Sequence, residues 1–254
     1  MATDETLGRH LILRLVDDRI LTPTVADRRA LARAVLGIGE PFGLILFSVA
    51  GTHSHLATLC GRRDAGRLAR NLTNSLRRRL ELPVSFEVCR IRPINDQAHL
   101  RTLPRYILEN ARKHGTDVDP FHEATNLPDL LGLRVLGAYT RELVKQRLPS
   151  LTRSELLACF GLKKLGEGGD LRRLAEAAAA AVGETSLKGR RPSIVRARAA
   201  AVRVALDAGA RPAWLARQLG LSARGLREVA GRGAEHELTA AIRRQLWLRD
   251  RLSA

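Results

Sequence analysis

The 254-residue chain is 45% hydrophobic, enough for a packed core in two domains or one large one. Its 43 Lys and Arg against 26 Asp and Glu give a formal charge of +17, so polyanions, nucleic acid first, are the expected partners. Cys60, Cys89 and Cys159 form neither a zinc pattern nor a disulfide framework, Met1–Thr6 lacks the form of a signal peptide, and no apolar run approaches a membrane span, so a soluble cytoplasmic protein without a membrane partner is expected.

His10–Val16 reads as a first strand, ended by Asp17-Asp18. A helix is expected over 24–37, with Thr24 as N-cap and Gly37 and Gly39 at its end. A second strand, about 43–59, carries His53-Ser54-His55. Alternate side chains of a strand share a face, so the two imidazoles converge on one spot, where they can hold a divalent cation. Ala65, Leu68, Leu72, Leu76 and Leu80 recur at helical spacing. That helix and its approach hold Arg62, Arg63, Arg67, Arg70, Arg77, Arg78 and Arg79 against one acid, Asp64: either a solvated face or a phosphate-tracking ridge beside the histidines. Val84–Ile91 alternates as a third strand, and a helix follows over about 97–113. This order predicts an α+β fold, an antiparallel sheet with helices on one face. Residues 126–182 read as helical around a glycine-rich loop at 160–170, and Ser186–Pro192 as a basic linker at a domain boundary. The predicted organisation is 1–150 for the α+β domain, 151–185 for a helical connector and 186–254 for an all-α domain. The cysteines, Tyr139, Trp214 and Trp247 are expected in the core.

Residues 186–254 hold 15 Lys and Arg against 5 Asp and Glu, a net +10. Within them, 212–230 follows the helix-turn-helix pattern: Ala216 where two helices touch, Gly220 at the turn, and Leu215, Leu219, Leu221, Leu226 and Val229 facing inward. Ser222 can cap the second helix, which would place Arg224 and Arg227 at the bases or phosphates of duplex DNA.

In the 97–113 helix, Tyr106 and Asn110 are i and i+4 and project together. A phenol is a weak nucleophile, but it can attack a phosphodiester that a metal has polarised, and an Asn carbonyl can join two imidazoles as a ligand.

Across residues 8–161 the order of strand with His-x-His, Arg-rich helix, strand, and helix with Tyr-Ile-x-x-Asn resembles the HUH single-tyrosine transposases, the REP-associated tyrosine transposase branch above all. Ser54 stands where that family has an apolar residue, and Ala111 where it has proline. The resemblance implies a ferredoxin-like sheet. It further implies Mg²⁺ or Mn²⁺ held by His53, His55 and Asn110, and attack by Tyr106 on single-stranded, hairpin-bearing DNA through a 5′-phosphotyrosine link. Some members carry a C-terminal helix-turn-helix of the replication-initiator type. Two readings stand: a DNA strand-transfer enzyme, and a non-catalytic DNA-binding regulator. Both leave a homodimer open.

Overall fold

The computed structural model describes residues 6–108 and 119–253, so Asn110 lies outside the described residues. The chain divides into two compact units, Met1–Leu130 with Gly137–Glu155, and Leu131–Leu136 with Leu156–Ala254.

The first unit is α+β. It runs β1 (Gly8–Arg14), α1 (Val25–Gly39), β2 (Leu44–Ala50), β3 (His53–Thr58), α2 (Arg62–Arg79), β4 (Arg90–Ile94) and α3 (Gln97–Leu108). The four strands form an antiparallel sheet in the order β2-β3-β1-β4. α1 starts where expected: Thr24 accepts from the Asp27 amide, and the Asp27 carboxylate accepts from the Thr24 amide.

Two strands differ from expectation. The single strand over 43–59 is a hairpin, because Gly51 takes a left-handed φ of 56° and turns the chain back. The third strand forms its regular ladder over Arg90–Ile94, with only Phe86 of the earlier stretch bridging Leu15. Pro93 is tolerated there because β4 is an edge strand, whose outward side needs no amide donor.

Alternation along β1 divides the sheet. Leu11, Leu13 and Leu15 are fully buried on one face, where α1 and α2 pack together and α2 lies against β1 and β4. His10, Ile12 and Arg14 take the other face, and the register places His55 opposite Ile12 and His53 opposite Arg14. α3 stands on this second face, its Leu100, Leu103 and Ile107 buried. Helices therefore cover both faces, not one as expected, because this side too presents apolar area to hide.

The outer edge of β2 is closed by residues 124–126. Asn126, wholly buried, accepts from the Phe47 amide at 3.2 Å and donates to the Ile45 carbonyl at 2.9 Å. Asn126→Ala strands two buried backbone groups, so unfolding by urea should show this unit weakened by about 2–4 kcal/mol.

The second unit is helical: α7 (Leu174–Ala181), α8 (Pro192–Asp207), α9 (Pro212–Leu219), α10 (Ala223–Ala230) and α11 (His236–Ser253). The shorter α4 (Leu127–Leu131), α5 (Ala138–Arg147) and α6 (Arg153–Ala158) precede them, so 126–182 is broken into pieces instead of being broadly helical. One core joins Ala177, Ala178 and Ala181 of α7 to Ala197, Ala200 and Ala201 of α8, Leu215 and Leu226, and Leu238, Ile242 and Leu246 of α11. Alanines let the helix axes approach closely, which makes α7 part of this core and not of a connector. α9 and α10 are joined by Gly220, left-handed at φ 61°, Leu221 and Ser222, whose hydroxyl accepts from the Gly225 amide. Cys159 and Tyr139 are exposed, contrary to the core places expected for them. Among the described residues, no helix is long and apolar enough to cross a membrane.

Candidate active site

β1 and β3 supply the polar centre of the second sheet face. His53 and His55, two apart on β3, point the same way with ring centroids 4.9 Å apart. The structure adds a third imidazole. His10, buried on the neighbouring central strand, lies with Nε2 3.0 Å from His55 Nδ1, the two rings stacked at 5.2 Å. Burial, then the nearby Arg92 and His99, hold His10 down to a pKa of about 4, so it is neutral at pH 7. A neutral His10 can accept a hydrogen bond through Nε2. His55 Nδ1–H can then donate to it, which leaves the lone pair of His55 on Nε2.

α3 brings the phenol to this centre. Asp96 opens the helix by accepting from the His99 amide at 2.7 Å. Two turns on, the Tyr106 ring stands edge-on to His55, with centroids 5.4 Å apart, and to His10 at 5.9 Å. Tyr106 is 40% exposed, so it can meet a ligand from solvent while its ring rests on the histidines. Arg92 and Arg90, paired with His10 and Ile12, continue this face as exposed cations along β4. Imidazoles, a phenol and guanidinium groups together suit a phosphodiester.

Of the expected site residues, His53, His55 and Tyr106 come together, and Asn110 lies outside the described residues. Arg62, Arg63, Arg67, Arg70, Arg77 and Arg78 are exposed on α2, but not beside the histidines. The apolar stripe of α2 buries on the Leu11 face, and the pleat puts the histidines on the other. Arg224 and Arg227 are exposed on α10 in the second unit, where Arg224 pairs with Glu228 at 2.9 Å. The sequence reading has His10 only as the start of the first strand and does not single out Arg92. The available signal was their alternation with the apolar residues of neighbouring strands.

The donor chemistry fits a divalent cation in part. His53 and His55 offer two imidazoles from one strand, and His10 is placed to set the tautomer of the second, the role such partners have at metal centres. Among the described residues, no three His, Cys, Asp or Glu side chains are grouped so as to hold a metal ion.

The low His10 value has a consequence for stability. Between pH 6.5 and about 4 the unfolded chain binds a proton at His10 that the folded chain refuses. This contribution, about 3 kcal/mol, is complete above pH 6.5 and is lost as pH falls toward 4. His122, lowered mainly by burial, acts in the same direction. Melting temperatures taken from pH 7 to 4.5 should fall less steeply in His10→Gln than in the native protein.

Comparison with protein-family models, with curated proteins and with solved structures finds no match to this chain.

Proposed function

We propose that the first unit is a ferredoxin-like HUH nuclease domain that cleaves and rejoins single-stranded DNA, with Tyr106 as nucleophile. The observation that supports this most is the meeting of Tyr106 with His55 and His10, which are far from it in sequence, with ring centroids within 5.9 Å. Mg²⁺ or Mn²⁺ on His53, His55 and Asn110 would act as a Lewis acid on the scissile phosphate. Tyr106 Oη forms a bond to phosphorus as the bond from phosphorus to the 3′ oxygen breaks. The proton lost by the phenol is balanced by the one that the leaving 3′ oxygen takes up. The products are a 5′-phosphotyrosine and a free 3′-hydroxyl, and attack by an incoming 3′-hydroxyl reverses the step, so neither water nor ATP is consumed. His10 holds the His55 ring, while Arg90 and Arg92 line the approach for phosphate.

Strand cleavage of labelled hairpin DNA should appear with Mn²⁺ and vanish with a chelator. A broad pool of single-stranded substrates that stays intact under both conditions would remove this reading.

A second reading is favoured by α9 and α10, which carry the turn glycine, the serine cap and the exposed Arg224 and Arg227 of a helix-turn-helix. In it the protein is a regulator that binds duplex DNA through the second unit and performs no chemistry. The enzyme reading accommodates the same unit as a targeting module. Arg224→Gln with Arg227→Gln should weaken duplex binding about tenfold or more and flatten its salt dependence, without altering cleavage of single strands.

A further inference from the structure

A groove of about 410 Å³ runs between α2 and the extended residues 85–91, on the side of the sheet turned away from His55. Its floor is apolar, formed by Ala69, Phe86 and Ile91, while Arg70 and Arg77 form a cationic rim with Asn74 between them. Residues 70, 74 and 77 follow one helix face, so the row is about 10 Å long. Both arginines are exposed, and no carboxylate among the described residues forms an ion pair with either. Val88 is 92% exposed, an apolar side chain that the fold leaves in solvent at the groove mouth.

We infer that this groove is a second seat for single-stranded DNA, taking an unpaired base on the apolar floor and its flanking phosphates on Arg70 and Arg77. An apolar floor with a cationic rim along one side matches an unpaired nucleotide, whose base face is open, and places its phosphates on the α2 side, away from Glu87 on the opposite wall. A duplex keeps its bases stacked inside and offers phosphate alone to such a surface. The inference rests on the reading of this unit as a single-strand enzyme and extends it. A strand engaged at Tyr106 would be held at a separate point, on the far side of the sheet. The α2 arginines then anchor a segment distant from the scissile phosphate instead of contacting that phosphate.

The test is fluorescence anisotropy of a labelled oligothymidylate on the full chain. Arg70→Gln with Arg77→Gln should weaken binding roughly tenfold and reduce the salt slope by about 1.4. Arg62→Gln with Arg63→Gln, the same change in charge on the same helix, should cost less than about threefold. Val88→Asp should weaken binding without changing the melting temperature, because Val88 packs against little. A matching oligomer without bases should bind more weakly to the native protein and be indifferent to Val88→Asp. Equal losses from the two arginine pairs would overturn the groove and leave only net charge. Base-free and thymidylate strands binding alike, or a blunt duplex losing as much through Arg70 and Arg77, would overturn it too. Native protein that binds no single strand would sink the single-strand enzyme and the groove together. Native protein that cleaves hairpin DNA, with the Arg70 and Arg77 pair dispensable for binding, would sink the groove alone.

Discussion

Tyr106→Phe is expected to lower covalent attachment to single-stranded DNA by at least about a thousandfold, because it removes the only atom assigned to attack phosphorus. The same change leaves the ring, and the edge-on contacts with His10 and His55 belong to the ring. Folding should therefore shift by no more than about 1 kcal/mol, the usual worth of one hydroxyl's hydrogen bonding. DNA affinity and Mn²⁺ affinity should stay near native. Loss of the adduct with preserved binding separates a nucleophile from a structural tyrosine. Tyr139 supplies the control: it is exposed, and Tyr139→Phe should leave the adduct unchanged.

The second large effect falls on His10. If its Nε2 accepts from His55 Nδ1, replacing it with leucine frees the His55 ring to turn and to exchange tautomers. Mn²⁺ affinity, read by paramagnetic resonance of the free ion, should then drop roughly 10- to 100-fold. His10→Gln keeps an acceptor near the same place and should recover most of the loss. A purely packing role predicts another order, with leucine filling the buried space as well as glutamine does. Equal metal affinity for the native, leucine and glutamine proteins would show that His10 does not position His55.

Much of the first unit is legible in the sequence, for local reasons. Thr24 and Asp27 announce the start of α1 by their spacing, and α2 declares itself through Ala65, Leu68, Leu72 and Leu76 set against an arginine face. The hairpin is less legible. Leu44–Ala50 is buried on both faces, so it reads as a continuous apolar run, and nothing but Gly51 marks the reversal. The strand before α3 is displaced because β4 lies at the sheet edge, where exposed Arg90, Arg92 and Pro93 weaken the apolar alternation that a strand is read by. His53 and His55 are found by spacing within one strand. His10 is not, because its partner lies 45 residues away and only the β1–β3 register joins them. The α2 arginines are found as a group but misplaced, since charge spacing along a helix does not say which sheet face the helix covers. In the second unit the turn glycine and serine cap are local and legible. The joining of α7 to the core through alanines is not, because alanine suits a buried helix and an exposed one alike.

The most direct measurement is mass spectrometry of the native protein after incubation with Mn²⁺ and single-stranded hairpin DNA, digested under denaturing conditions. A peptide containing Tyr106 that carries a 5′-linked nucleotide is expected, and it should be absent when Mn²⁺ is withheld. A nucleotide found on another residue, or cleavage that leaves no linked peptide, would contradict Tyr106 as the nucleophile.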